Sequence, residues 1–191
     1  IIKVKNNFLP QPRAWIPQGY KLDMFIGPFD GGIEGLGAGV YARSVSDDDE
    51  HLGLQCNLAA ARAKVSSLDV GDNELLASLL QARLAEVVVK ATPERPPDVK
   101  TVLVTDSQCT GHSHSVDFRF TERRRRNAGV RFHRALRRLH VQNDNMVVLL
   151  TWLPGIHNPA DLISKVHEEV DTAINSTFWR NGSPLYLDKN F

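Results

Sequence analysis

Apolar positions recur along this chain in two different periods. Leu22 to Phe29 and Leu36 to Ala42 are short apolar runs separated by Asp and Gly residues, which predicts two strands joined as a hairpin. Asp47-Asp48-Asp49-Glu50 then predicts a solvated turn, and His51 to Ala60 a third strand that completes a meander. From Asn73 to Lys90 the period changes. Leu75, Leu76, Leu79, Leu80, Leu84, Val87 and Val88 form one stripe at helical spacing, with Asp72 or Asn73 available as the cap. Residues 91–99 read as a loop, and Thr101 to Thr105 as a short strand, because Val102-Leu103-Val104 is an unbroken apolar run.

The second half alternates. Glu122 to His140 predicts a basic helix with an apolar side at Val130, Leu136 and Leu139, and Met146 to Trp152 predicts a strand. Pro159 to Ile174 predicts a helix with proline at its first position, where the missing N–H costs nothing. Residues 1–20, with Pro10, Pro12 and Pro17, read as an extended arm or linker; residues 176–191 read as an aromatic, irregular C-terminal tail. One domain is left over residues 21–175. Three strands followed by helix, strand, helix, strand and helix predict an α/β fold. Its sheet is mixed and five-stranded, an antiparallel meander joined to parallel strands and flanked by helices.

Composition narrows the class. The 191 residues are 42% hydrophobic, enough for one ordinary domain with a full core. The net charge of +1 names no partner, but nine arginines and one acid lie between Arg119 and Arg138, a concentrated cationic segment suited to phosphates. Two cysteines, Cys56 and Cys109, cannot build a disulfide framework or a thiolate zinc site, so an intracellular setting is expected. No apolar run approaches a membrane span and no signal peptide opens the chain. The first residue is not Met, which predicts a piece of a longer polypeptide.

Four acids stand at the ends of predicted elements. Asp30 ends the first strand before Gly31-Gly32, as a hairpin turn or as a carboxylate beside glycines that let a metal or phosphate come close. Glu74 lies in the first turn of the long helix, where it complements the helix dipole. Its own face, through Ala77, Ser78, Gln81 and Ala85, is small and lies opposite the leucines. Asp106 ends the fourth strand, as a turn residue or at the strand end where parallel sheets hold ligands. Asp161 follows Asn158 by three positions, as in a capping box, and capping does not prevent metal ligation. Four carboxylates arriving at strand ends and helix starts are what two-metal phosphoryl transfer needs.

These segments together resemble the ribonuclease H domain of BEL/Pao-type long-terminal-repeat retrotransposon polyproteins. Phe29-Asp30-Gly31-Gly32 with Gly37-Ala38 and Tyr41 resembles the family's Phe-x-Asp-Ala-Ser start. Glu74 to Leu84 resembles its Leu-Glu-Leu-rich helix, and Thr105-Asp106-Ser107-Gln108 matches its Thr-Asp-Ser-Gln strand end. Pro154 to Ser164 is close to its Pro-Gly-Lys-Glu-Asn-Pro-Ala-Asp-Leu-Ile-Ser and is the most specific match. Phe178-Trp179 and Gly182-Ser183-Pro184-Leu185 resemble the segment that follows the domain. Three features depart from the family: Gly-Gly after Asp30, a shorter lead into Glu74, and Cys109-Thr110-Gly111-His112-Ser113-His114 where an apolar helix is usual.

The resemblance implies a ribonuclease H-like fold and hydrolysis of the RNA strand of RNA–DNA hybrids. It implies that Asp30, Glu74, Asp106 and Asp161 hold two Mg²⁺ ions, for which Mn²⁺ can substitute, with His157 as a candidate proton shuttle. Arg123, Arg124, Arg125, Arg126, Arg131 and Arg134, with Ser107, Gln108 and Asn158, are the implied nucleic-acid contacts. The implied partners are the hybrid and the reverse transcriptase of the same polyprotein, with no membrane and no small-molecule cofactor. The implied location is a cytoplasmic virus-like particle, or the nucleus for a domesticated copy. The alternative is a ribonuclease H-fold module that binds nucleic acid or protein and cuts weakly or not at all. His112 and His114 read as exposed polar residues, since spacing suggests no third metal ligand.

Overall fold

A computed structural model of the chain describes residues 15–46, 53–108, 110, 123–144, 146–164 and 175–191. The expected mixed sheet is present. Strands β1 (Tyr20–Gly31), β2 (Gly35–Ser46) and β3 (Leu54–Val65) form the antiparallel meander. Strands β4 (Lys100–Thr105) and β5 (Val148–Trp152) join it parallel to β1, in the order β3-β2-β1-β4-β5. The parallel neighbours require crossovers. Helix α1 (Val70–Lys90) lies between β3 and β4, and helix α2 (Arg123–Val141) between β4 and β5. The predicted turn at residues 47–50 and the glycine–histidine segment 111–114 lie outside the described residues.

The central strands are buried on both faces, so their side chains sort by alternation. Phe25 and Phe29 of β1, with Val40 and Ala38 of β2 and Leu103 of β4, face the helices. Met24, Ile26, Tyr41, Val102 and Val104 face the other way. There they meet the C-terminal stretch, which is not an irregular tail. It forms helix α4 (Thr177–Asn181) and a 3-10 turn (Pro184–Leu187), and Tyr186 is fully buried. Tyr41 donates its hydroxyl hydrogen bond to the Trp179 carbonyl at 2.7 Å. The buried Arg43 guanidinium donates to the carbonyls of Tyr186 and Asp188, and to Asp23 at 2.6 Å. At the other end Trp15 and Ile16 pack on the Leu22, Phe25 and Val40 cluster.

Helix α1 docks through the face that Glu74 shares. Its small face, Ala77, Ser78, Gln81, Ala82 and Ala85, is the part wholly buried against the sheet. The two phenylalanines of β1 already fill the helix side, so small residues give the closest approach. The leucine stripe divides instead. Leu75, Leu79 and Val88 are buried, Leu76, Leu80 and Leu84 are half-buried against the cluster holding α2's Phe132 and Ala135, and Val87 is 63% exposed. On α2 the apolar side is carried by Phe132, Ala135 and Leu139, while the expected Val130 is exposed. Among the described residues no helix is long and apolar enough to cross a membrane.

The start of α1 is held by charge as well as by packing. The cap is Asp69, not Asp72 or Asn73: its carboxylate accepts from the Asp72 N–H at 2.9 Å. Asn73 is buried and donates its side-chain amide to the Gly32 carbonyl at 2.8 Å, tying α1 to the β1–β2 turn. Arg125 of α2 donates to Asp72 at 2.9 Å and to Asp69 at 3.1 Å, and Arg124 to Asp72 at 3.3 Å. Two arginines of the basic segment thus clamp α2 onto α1.

The hydrogen bond from Arg125, with Arg124 adding to it, holds the Asp72 carboxyl below its ordinary value against the opposing effect of burial. A depressed carboxyl stabilises the fold above its unfolded value, near 4, and loses that contribution as pH falls through the lower folded value. Asp72→Asn should therefore lower unfolding free energy by about 1.5–3 kcal/mol at neutral pH, the range for hydrogen bonds to a charged group. Urea titrations across pH should show the gap between wild type and variant closing only in acid.

Candidate metal centre

Strands β1 and β4 run side by side with Pro28 opposite Val104. Continuing that register by two residues sets Asp30 beside Asp106. Both follow the alternation of Ile26 and Val104 onto the face that carries the C-terminal stretch. They emerge at the carboxyl ends of parallel strands, where open α/β sheets hold ligands.

The third acid arrives from helix α3 (Asp161–Ser164), the described part of the helix expected from Pro159; residues 165–174 lie outside the described residues. On β2, Gly37 is paired opposite Asp30. A Cβ at Gly37 would lie 2.5 Å from Ile163 Cγ1 and 3.0 Å from the Ala160 carbonyl oxygen. The bare glycine lets α3 lie directly on the sheet, and this brings Asp161 and Ser164 to Asp30. The Ser164 hydroxyl donates to Asp30 Oδ2. One carboxylate oxygen from each of Asp30, Asp106 and Asp161 lies within 4.8 Å of the other two, and all three residues are half-buried. Like charges this close repel, and the repulsion favours a cation among them. The donors are hard oxygens without thiolate, which fits Mg²⁺ or Mn²⁺.

Asn158 fixes this arrangement. It is wholly buried. Its side-chain N–H groups donate to the Phe29 carbonyl at 3.0 Å and to Asp106 Oδ1 at 3.1 Å, and its Oδ1 accepts from the Ala160 N–H at 3.1 Å. One amide therefore joins the end of β1, the end of β4 and the loop that carries Asp161. Its burial corrects the expectation of a nucleic-acid contact: Asn158 faces protein on every side.

Glu74 stands at the edge of the group. It lines a hollow of about 480 Å³ together with Asp30, Asp161, Gly31, Gly32, Ile33, Glu34 and Val70. Its Oε2 accepts from the Ser107 hydroxyl at 2.6 Å and the Thr110 hydroxyl at 3.0 Å, and the close group of three does not include it. Ser107, expected at a nucleic-acid contact, is thus directed at Glu74. Gly31 serves the packing of α1 instead of leaving room for a ligand, because a Cβ there would lie 2.2 Å from the Glu74 backbone nitrogen. His157, on the 3-10 turn Gly155–His157, has Nδ1 3.4 Å from the Ser183 hydroxyl and lies outside the three-aspartate group.

The basic helix is only partly available. Arg124 and Arg125 are engaged with Asp69 and Asp72, and Arg138 with Glu86 at 3.3 Å. Arg123, Arg126, Arg131 and Arg134 are exposed, as is Gln108. Sequence reasoning missed Ser164 and Thr110. Ser164 had a signal, lying three residues after Asp161 and therefore on the same side of a helical turn. Thr110 had none.

No protein-family model matches the chain, and no curated protein does. Among solved structures it is similar to the N-terminal RNase H domain of rv2228c from Mycobacterium tuberculosis, at 17% identity over 79% of this chain and 96% of that one, with a TM-score of 0.49. It is similar to RNase H1 from the halophilic archaeon Halobacterium salinarum, at 18% identity over 73% and 93%, with a TM-score of 0.44. LC11-RNase H1 in complex with an RNA/DNA hybrid gives 13% identity over 80% and 99%, with a TM-score of 0.46. All three scores are below 0.5, and the functional reading rests on the chain's own residues.

Asn158→Ala should leave the Phe29 carbonyl and the Ala160 N–H without their buried partner. The expected loss is about 1–3 kcal/mol of unfolding free energy, read from urea denaturation. An unchanged midpoint and slope would show that the amide bridge does not hold the loop.

Proposed function

We propose that this chain is a divalent-metal-dependent endonuclease that hydrolyses the RNA strand of RNA–DNA hybrids. We further assign it to the reverse-transcriptase polyprotein of a BEL/Pao-type retrotransposon, or to a domesticated copy of one. The observation that carries the activity is the convergence of Asp30, Asp106 and Asp161 from three separate elements within 4.8 Å. The lineage rests on the run Pro154 to Ser164. Work beside a reverse transcriptase in a cytoplasmic virus-like particle, or in the nucleus for a domesticated copy, follows from that lineage.

A phosphodiester carries negative charge, and three carboxylates repel it. Asp30, Asp106 and Asp161, with Glu74 beside them, would hold Mg²⁺ or Mn²⁺. Bound there, the cations supply charge neutralisation on the phosphate and a water acidic enough to attack it. The chain's own contribution is to keep the ligands still. Ser164 holds Asp30 by one oxygen, and Asn158 holds Asp106 by Oδ1. Exposed Arg123, Arg126, Arg131 and Arg134 on α2 would neutralise backbone phosphates, and 2′-hydroxyl contacts would separate RNA from DNA. His157 is assigned no step. That Glu74 stands outside the close group of three favours a second reading, a ribonuclease H-fold module that binds nucleic acid or protein and cuts weakly or not at all.

A labelled RNA–DNA hybrid separates the two. Wild type should cut the RNA strand with Mg²⁺ or Mn²⁺, and chelation should stop it. Asp106→Asn should fold normally and cut at least about a hundredfold more slowly, as loss of a metal ligand does. Binding without cutting under either metal would overturn the enzyme reading in favour of the module.

Hybrid affinity should also fall with salt. Replacing both Arg131 and Arg134 by Ala should make the slope of log affinity on log salt shallower by about 1–2, near 0.9 for each phosphate no longer neutralised. An unchanged slope would remove α2 from the nucleic-acid surface.

A further inference from the structure

The segment after β4 carries hydroxyls that the nuclease reading leaves without a role. Thr110 is buried, at 2% exposure, in a stretch that is otherwise polar in sequence. Its hydroxyl donates to Glu74 Oε2 at 3.0 Å, and the Ser107 hydroxyl donates to the same oxygen at 2.6 Å. The two donors are themselves linked. The Thr110 N–H donates to the Ser107 hydroxyl oxygen at 3.1 Å, and the Ser107 N–H donates to Thr105 Oγ1 at 3.1 Å. A chain of hydrogen bonds thus runs from the last residue of β4 through Ser107 and Thr110 to a carboxylate on α1. The sequence separations are 33 and 36 residues, so neither bond to Glu74 is local.

A helix needs no such tie to stay on the sheet, since the small face of α1 is already buried there. Both hydroxyls converge on one oxygen, which leaves the other free of these donors. A carboxylate held by one oxygen is the usual state of a metal ligand oriented by outer partners. We propose that Ser107 and Thr110 are positioning residues. They pin Glu74 through Oε2 and present Oε1 as its coordinating atom at the border of the three-aspartate group. Thr110 is thereby a determinant of metal affinity although it touches no metal itself. The inference rests on the metal-dependent reading above.

The test uses the full chain and compares Thr110→Val, which keeps the shape and removes the hydroxyl, with Thr110→Ser, which keeps the hydroxyl. Mn²⁺ is titrated calorimetrically without nucleic acid, and metal dependence of hybrid cleavage is measured in parallel. Thr110→Val should weaken Mn²⁺ binding about tenfold and raise the half-maximal metal concentration for cleavage by a similar factor, whereas Thr110→Ser should stay near wild type. Ser107→Ala carries the same test should Thr110→Val fail to fold. If wild type binds Mn²⁺ and cuts while both hydroxyl-deleting variants match it, the positioning role is overturned and the nuclease reading stands. If both Thr110 variants lose metal affinity alike, Thr110 serves packing and the proposal is again overturned. If wild type neither binds Mn²⁺ nor cuts, both readings fall.

Discussion

One buried amide decides whether this protein has a site at all. Asn158 reaches the Phe29 carbonyl, the Asp106 carboxylate and the Ala160 N–H; among the described residues it is the side chain that touches both strand ends and the third-acid loop. A buried amide without partners is costly, and with them it is directional. The strands alone set Asp30 beside Asp106. Asp161 joins them because Asn158 holds its loop and Gly37 leaves α3 a bed.

The two faces of the sheet divide the labour. The helix face is packed by large strand residues against small helix residues, and there α1 is held by Asn73 and by the Arg124 and Arg125 clamp. The opposite face carries the acids, and it is closed by the C-terminal stretch through Tyr41, Arg43 and Tyr186. Of the four acids, Glu74 alone comes from α1, and it borders the hollow that Asp30 and Asp161 also line. Its Oε2 takes two hydroxyl donors from the segment just after β4, whereas Asp30 accepts from Ser164 on α3.

Much of this was legible in the sequence, for a physical reason. Strand period and turn residues place Asp30 and Asp106 at strand ends, and the resemblance implies that they share a site; that β1 lies directly beside β4 came with the structure. Orientation was less legible. An apolar stripe says which residues avoid water, but the shape of the opposing surface says which of them lie deepest. On α1 it is Ala77, Gln81 and Ala85 that lie deepest, because Phe25 and Phe29 already fill the space above the sheet. Charge was similarly ambiguous. A run of arginines reads as a phosphate surface, yet Arg124 and Arg125 found Asp69 and Asp72 in their own chain. Asn158 reads as a nucleic-acid contact through the resemblance, whereas in the fold it is wholly buried. Thr110 sits where the resemblance fails, so nothing in the sequence spoke for it.

The same geometry bears on how the chain acquires its site. The Asn158 bond to Phe29 spans 129 residues, and the Ser164 bond to Asp30 spans 134. Loop-closure entropy must be met before such contacts give anything back, so they form late relative to the local meander and helices. On the ribosome, β1 through β4 can pair while the loop at Asn158 is still unmade. Asp161 therefore joins Asp30 and Asp106 late in synthesis, and a polypeptide that ends before it lacks the third acid of the metal group.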